Sequence, residues 1–299
     1  MNPYLRHLRE QLPVLGAMGK TAVLALRQRV VKPTGSGTMP GPLLRATIAP
    51  RPRPMIDDYL RHIGGEPSAY PGVVPPHLFP QWSFPLQAQS LEAIPYPIAK
   101  VLNGGCTLAL NAALPDDEPL DLSVQLREID DDGTRAVIHQ RIVTGTRTNP
   151  DALVADMRAV IPLRRRTAKS AQPKYVVPDS VEEIERWRLD SAIGLEFALL
   201  TGDFNPVHWV GPYARLLGFK NPIVHGFSTM ARTIESLHRA RGTAPLTGFE
   251  CRFTRPLTLP ADVGLYIGTG ADASQLFVAD RPGERAYLMG SFATGTPGD

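Results

Sequence analysis

The two halves of this chain repeat one order of elements, and the repeat constrains the fold more than any other feature. Helical segments are indicated at residues 55–64 and 77–91 in the first half and at 225–241 in the second. Four strand-like runs follow in each half, at 106–114, 120–129, 134–145 and 152–163, and at 246–257, 263–268, 275–279 and 285–293. Turn clusters separate the runs, so neighbouring strands are expected to pair antiparallel. The pattern predicts an α+β chain built from two copies of one unit.

Matches between the two copies keep the same order along the chain. Gly64 corresponds to Gly202, the string Pro76-His77-Leu78-Phe79 to Val224-His225-Gly226-Phe227, and residues 110–122 to 253–265. A repeat of this kind indicates a duplicated structural unit. We therefore place a first unit at residues 41–165 and a second at 175–299, joined by a basic linker at 164–174. In the second unit, Asp179 followed by Glu182 forms a capping-box pattern that predicts a helix toward Leu200.

Length, charge and cysteine content exclude several classes of protein. A chain of 299 residues can bury two modest cores without disulfides, and its net charge of +3 is too small to indicate nucleic-acid binding. Cys106 and Cys251 lack the spacing of a metal or redox pair and are expected to be reduced core residues. The longest apolar stretch is interrupted by Lys20, too short to cross a bilayer and unlike a signal peptide. A cytoplasmic protein is expected.

Residues 1–40 differ from the rest of the chain in charge. They carry most of the basic excess, and apolar residues recur among them at helical spacing: Leu5, Leu8, Leu12, Leu15, Met18, Ala22 and Leu26. This pattern predicts an amphipathic helical arm followed by a linker. The arm has two interpretations, peripheral contact with an anionic membrane or a partner, and packing on its own domain. The second is favoured.

The two copies differ most in the segment after the matched glycines. After Gly202 the second copy carries Asp203, Asn205 and His208, where the first copy has Gly65, Pro67 and Tyr70. A carboxylate and an imidazole on one rigid turn can share a water molecule and exchange protons near neutral pH. Residue types alone leave an alternative open. Asp203 and Asn205 could cap the turn, and His208 could be a buried structural histidine.

Other chemistries fit this segment less well. Asp203, His208 and His225 offer oxygen and nitrogen donors, but their spacing matches no zinc pattern, so no metal is expected. The chain lacks the Gly-x-Ser-x-Gly string of a serine nucleophile and the glycine pattern of a dinucleotide site. No cofactor is expected.

The strings Thr201-Gly202-Asp203-Phe204-Asn205-Pro206-Val207-His208 and Asn221-Pro222-Ile223-Val224-His225-Gly226 resemble the MaoC-like, or hydratase 2, family. The resemblance implies a double hot dog, in which each antiparallel sheet wraps around a helix, with one active site per chain. It also implies that Asp203 and His208 form a catalytic dyad, that Asn205 orients the substrate, and that the Gly226 amide binds the thioester oxygen. For His225, an auxiliary role and a structural role at the helix start stay open. Phe197 departs from the tyrosine of many family members, with little consequence expected.

The resemblance further implies reversible hydration of trans-2-enoyl thioesters to (R)-3-hydroxyacyl thioesters in fatty acid metabolism. The substrate would be a thioester of coenzyme A or of acyl carrier protein, and the degenerate first unit would accommodate the acyl chain. Two alternatives stay open, an acyl-thioester hydrolase and a noncatalytic acyl-thioester binding subunit, because one fold hosts several functions. The sequence does not assign acid and base within the dyad, and it leaves the oligomeric state open, a homodimer included.

Overall fold

Ten antiparallel strands form one continuous sheet in the computed structural model, which describes residues 2–30, 38–164, 175–242 and 245–295. The strands are β1 (Leu44–Ile48), β2 (Leu102–Leu110), β3 (Leu120–Asp131), β4 (Arg135–Gly145), β5 (Leu153–Pro162), β6 (Val181–Leu189), β7 (Leu246–Phe253), β8 (Ala261–Gly268), β9 (Gln275–Ala279) and β10 (Leu288–Thr294). The helices are α1 (Leu12–Val30), α2 (Arg53–Ile63), α3 (Phe79–Ser90), α4 (Ile193–Thr201), α5 (Gly211–Leu216) and α6 (Gly226–Arg241).

The strand order is the same in both halves when each is counted from its outer edge. It runs β1-β3-β4-β5-β2 in the first half and β6-β8-β9-β10-β7 in the second, and β2 pairs with β7 where the halves meet. Helix α6 buries Met230, Ile234 and Leu237 against the core, which also contains residues of the first half. The predicted α+β double hot dog is confirmed. The unit boundaries at 41–165 and 175–299 stay a proposal, which this repeated order supports.

The junction of β2 and β7 brings the two cysteines together. Cys106 lies opposite Cys251, both are completely buried, and their Sγ atoms are 4.0 Å apart as free thiols. The hydrogen bond with Cys251 and burial raise the pKa of the Cys106 thiol well above its usual value. The expectation that both cysteines are reduced core residues agrees with this arrangement.

The predicted helix over residues 179–200 is wrong in its first half. Residues 181–189 form β6, which pairs with β8 at an outer edge of the sheet, and the helix begins only at Ile193. Trp187 and Leu189 are buried, because pairing with β8 turns them toward the core. A capping-box pattern is a local signal, and tertiary pairing can override it.

The predicted arm is helical and packs on the body, but through a different face. A 3₁₀ segment, Pro3–Gln11, leads into α1, and its buried side chains are His7 and Gln11. His7 Nε2 lies 2.7 Å from Asp58 Oδ2, and Gln11 Nε2 donates to the carbonyl oxygen of Leu200 at 3.0 Å. Much of the apolar stripe read from the sequence faces solvent, because the 3₁₀ segment packs through polar side chains and α1 packs through other residues, Val14, Leu24 and Ala25. Its exposed members include Leu5, Leu8, Leu12 and Leu26.

Of the predicted basic linker at 164–174, residues 165–174 lie outside the described residues. Among the described residues, no helix combines the length and the apolar character needed to cross a lipid bilayer.

Candidate active site

The site is built on the loop that follows α4. Gly202 ends α4 with a φ of 82°, a left-handed conformation that suits glycine, and it turns the chain into Asp203. Asp203 Oδ1 accepts a hydrogen bond from the Asn205 amide at 3.3 Å. A short 3₁₀ turn, Pro206–His208, then places His208 beside the loop. The local sequence therefore fixes the carboxylate and the imidazole on one tight turn.

Glycine at position 194 allows this turn to approach α4 closely. A Cβ atom on Gly194 would lie 1.9 Å from the carbonyl oxygen of His208, so any larger residue would push the loop away. The opposite side of the loop is held by the segment before α6, where the Ile223 amide donates to the carbonyl oxygen of Val207 at 3.2 Å. These two contacts set the position of His208.

His208 and His225 stack on each other at the centre of the site. Their ring centroids are 3.7 Å apart with an interplanar angle of 24°. The Phe197 ring packs on His225, with ring centroids 4.8 Å apart. His208 Nδ1 lies 2.8 Å from the carbonyl oxygen of Ile223, and His225 Nε2 lies 3.0 Å from that of Asp203. Because a carbonyl oxygen only accepts, both nitrogens carry hydrogen. The Nε2 atom of a neutral His208 is therefore free to accept a proton.

Burial keeps His225 neutral. Desolvation, followed by repulsion from His208, lowers the pKa of His225 to about 3, and attraction to Asp203 offsets this only in part. The ring is only 2% exposed and stands at the start of α6, where the helix dipole also disfavours a positive charge. A group that is neutral at pH 7 cannot serve as a cationic acid there, which favours a positioning role.

The amide of Gly226 is the first of α6 and has no acceptor among the described residues. Helix amides in the first turn lack intrahelical partners and carry the positive end of the helix dipole. Glycine suits this position, since a Cβ atom would lie 3.0 Å from the Phe253 ring and would force that ring to shift. An oxygen that gains negative charge can therefore approach this amide.

Four of the five predicted site residues come together: Asp203, His208, His225 and Gly226. The fifth, Asn205, is exposed, and its Oδ1 accepts a hydrogen bond from the Val207 amide at 3.3 Å. Asn205 therefore caps the turn through Oδ1, and its role in orienting the substrate stays a prediction.

Sequence reasoning missed Gly194 and Ser228. Ser228 lies in the first turn of α6 with a buried Oγ that has no hydrogen-bond partner among the described residues. A buried hydroxyl without a partner is uncommon, and this one lies two residues after the Gly226 amide. Neither residue belongs to the quoted motif strings, so only their three-dimensional contacts identify them.

One donor atom each from Asp203, His208 and His225 lies within 4.8 Å of the others, a spacing that raises the question of a metal. Zinc ligands at about 2.0–2.2 Å from the ion bring two donors to within roughly 4.4 Å. The Asp203 Oδ2 to His225 Nε2 distance of 3.9 Å meets this limit, but that nitrogen already donates its hydrogen to a carbonyl. The arrangement fits a hydrogen-bonded water better than a cation.

Comparison with known proteins defines the class. Residues 176–273 match the model of the MaoC like domain, and this match confirms the resemblance seen in the motif strings. A curated relative, 3-hydroxyacyl-thioester dehydratase X of Mycobacterium tuberculosis (strain ATCC 25618 / H37Rv), is 31% identical over 110 residues. The alignment covers 36% of this chain and 39% of that relative.

Solved structures show the same fold over most of the chain. HtdX of Mycobacterium tuberculosis matches with a TM-score of 0.68 and 18% identity, over 85% of this chain and 100% of that one. A MaoC-like dehydratase from Phytophthora capsici matches with a TM-score of 0.65 and 16% identity, over 86% and 97% of the two chains. The peroxisomal multifunctional enzyme type 2 of Drosophila melanogaster matches with a TM-score of 0.62 and 15% identity, over 84% and 48%.

Proposed function

We propose that this protein hydrates trans-2-enoyl thioesters reversibly to (R)-3-hydroxyacyl thioesters. One observation carries the proposal: donor atoms of Asp203, His208 and His225 lie within 4.8 Å of one another, and Gly226, with its unpaired amide, directly follows His225. Water addition to an unsaturated thioester needs a base for water, a proton for C2 and a donor for the enolate oxygen. The relative's name, 3-hydroxyacyl-thioester dehydratase X, supports the same chemistry, because dehydration is the reverse of this reaction.

The proposed reaction uses His208 first as base and then as acid, and it gives Asp203 and Gly226 one role each. His208 Nε2 takes a proton from water while Asp203 accepts the second hydrogen bond and orients the water. The water oxygen bonds to C3, and the C2=C3 electron pair moves toward the thioester oxygen, where the Gly226 amide donates to the developing negative charge. Protonated His208 then returns the proton to C2, so that one water has been added. His225 holds the Asp203 backbone through its Nε2–H.

Two substitutions test the dyad. Asp203→Asn removes the charge but retains a hydrogen-bonding side chain, and His208→Gln removes the titrating imidazole. Each is expected to lower kcat about 10²- to 10⁴-fold, the usual contribution of general acid–base groups. The measurement is the loss of enoyl-thioester absorbance, with folding checked by circular dichroism. Because both groups act on one water, the double variant is expected to be little worse than the poorer single variant.

Glu66→Gln is the matched control. Glu66 is an exposed carboxylate in the corresponding segment of the first unit, so its loss should leave turnover unchanged.

Two further assays separate hydration from other chemistries. Activity is expected to survive EDTA, and no free thiol should appear. Thiol release without loss of the double bond would instead identify a hydrolase. Folded single variants that keep more than about a tenth of the rate would contradict the proposed dyad.

We further propose that the arm contacts anionic membranes. Its exposed apolar side chains, Leu5, Leu8, Leu12, Val23, Leu26 and Val30, lie on segments that also expose basic side chains. Apolar contact together with basic charge is the combination that holds amphipathic helices at lipid surfaces. Three further points stay predictions: whether coenzyme A or acyl carrier protein carries the acyl group, the cytoplasmic location, and a homodimer.

Vesicle sedimentation tests the membrane proposal. The protein is expected to sediment with vesicles of phosphatidylcholine and phosphatidylglycerol and to lose this binding at high salt, because screening weakens exposed charge contacts. Leu8→Glu with Leu12→Glu should abolish sedimentation, whereas Val176→Glu, an exposed apolar residue outside the arm, should not. Equal sedimentation of both variants would contradict the proposal.

A further inference from the structure

The first unit contains a counterpart of the candidate active site. Gly64 ends α2 with a φ of 81°, as Gly202 ends α4. Tyr59 packs on His77 with ring centroids 5.6 Å apart, as Phe197 packs on His225, and the Tyr70 ring lies 6.2 Å from His77. An aromatic residue and a buried histidine thus occupy corresponding places in both units.

The second unit supplies the carboxylate that the first unit lacks. Position 65, which corresponds to Asp203, is glycine, and a Cβ atom there would lie 2.6 Å from Glu235 Oε2. Glu235 belongs to α6 and is almost fully buried. Its Oε1 accepts a hydrogen bond from Tyr70 at 2.6 Å and lies 2.7 Å from His77 Nε2. The two units therefore build one polar cluster of Tyr59, Tyr70, His77 and Glu235.

This cluster lacks the donor that hydration requires. Leu78 stands where the second unit has Gly226, its side chain is buried, and its amide donates to the carbonyl oxygen of Pro75 at 3.0 Å. The Tyr70 hydroxyl, His77 Nε2 and the Glu235 carboxylate are paired with one another. No group here is left to stabilise an enolate, so the arrangement suits binding and not catalysis.

A cavity of about 330 Å³ lies next to this cluster, between the two units. Its walls are mainly apolar and include Tyr70, Val74, Leu110, Ile234, Leu237 and Leu246. Tyr70, His238 and Thr294 are the residues of its lining that carry polar side-chain atoms. The lining contains none of Asp203, His208, His225 and Gly226, which separates the cavity from the candidate active site.

We propose that this cavity is a second ligand site, which binds a linear acyl chain with its polar end at the rim beside His238. The volume lies in the range of small-ligand pockets, roughly 300–1,000 Å³. The Tyr70 hydroxyl is engaged by Glu235, so the inner wall offers no free hydrogen bond to a polar ligand. His238 is exposed at the rim, where a carboxylate or a thioester head would remain in water.

The inference does not depend on hydratase activity, and a binding measurement tests it directly. Isothermal titration calorimetry of the full chain with octanoate, decanoate and dodecanoate should show affinity rising about fourfold per methylene until the cavity is filled. Two rim variants, Ala69→Trp and Ala113→Trp, place a large ring in the cavity from exposed positions, so the core is left intact. Each should weaken dodecanoate binding at least tenfold.

Ala271→Trp, at an exposed alanine outside the cavity, is the control and should bind like the unaltered protein. Hydration of a four-carbon enoyl thioester should be the same in the rim variants, so failure of the proposed activity and failure of this site give different results. If dodecanoyl-CoA competes with dodecanoate, thioesters supply the chain. If dodecanoyl-CoA does not compete, free acids supply it. Both results support a site for an acyl chain. The proposed site would be overturned by an affinity that does not depend on chain length, or by rim variants whose affinity for dodecanoate is within twofold of that of the unaltered protein.

Discussion

At the scale of single residues, His225 shows how position changes the chemistry of a side chain. An unfolded histidine has a pKa of about 6.5, whereas burial first, and then His208, lower the pKa of His225 to about 3 in the fold. Between these values the unfolded chain binds about one more proton, so stability is fully present above pH 6.5 and falls as the pH drops toward 3. The expected slope from this group is about 1.4 kcal/mol per pH unit.

His225→Gln should remove that part of the slope. The measurement is the free energy of unfolding in urea at pH 6, 5 and 4. Thr229→Val is the control, because it removes a hydroxyl that contacts the His225 carbonyl oxygen and does not titrate. Its stability curve should run parallel to that of the unaltered protein. The same slope in the His225→Gln protein would show that His225 is not held neutral by the fold.

At the scale of elements, the arm depends on polar contacts for its attachment. Gln11 is completely buried, donates to the Leu200 carbonyl oxygen and accepts from Gln81 Nε2 at 3.0 Å. Gln11→Ala leaves both groups without this partner and should lower the free energy of unfolding by about 1–3 kcal/mol. Leu12→Ala, at the next and exposed position, should change it by less than about 0.5 kcal/mol.

Urea denaturation of both variants tests this view of the arm. Equal effects at positions 11 and 12 would mean that the arm is attached by its apolar stripe, as the sequence periodicity alone indicates. Val14 extends the same packing face, since it lies against Gly202 next to the site loop. A loosened arm should therefore also disturb Asp203.

At the scale of the whole molecule, the two halves share one sheet through β2 and β7. Gly105 has a φ of 124°, and a Cβ atom there would lie 2.1 Å from the carbonyl oxygen of Cys251. Gly105→Ala should therefore destabilise the protein by about 3 kcal/mol or more. Gly133→Ala, at a turn with a φ of 75° and open space around it, should cost only about 1–2 kcal/mol.

Thermal unfolding followed by tryptophan fluorescence and circular dichroism checks this expectation. Trp82 lies in the first half and Trp187 in the second, so single-tryptophan proteins report each half separately. Because the halves share a sheet and a core, both should unfold in one transition that Gly105→Ala moves as a whole. Separate transitions would contradict this coupling.

The sequence by itself indicated most of the local elements and led to the proposed reacting groups. Side-chain patterns indicated eight of the strands and the helices α2, α3 and α6, because side-chain spacing reports directly on backbone type. The motif around Asp203 and His208 was readable because both lie on one short turn. The strand at 181–189 was missed, since its signal depends on pairing with β8.

Tertiary structure decided everything that joins distant positions. It set the packing face of the arm, because His7 and Gln11 have hydrogen-bond partners in α2 and α4. It gave Asn205 Oδ1 a partner in the Val207 amide, and it placed Glu235 in the space left by Gly65. The physical reason is that hydrogen-bond partners and excluded volume are properties of three-dimensional position, which local sequence patterns do not encode.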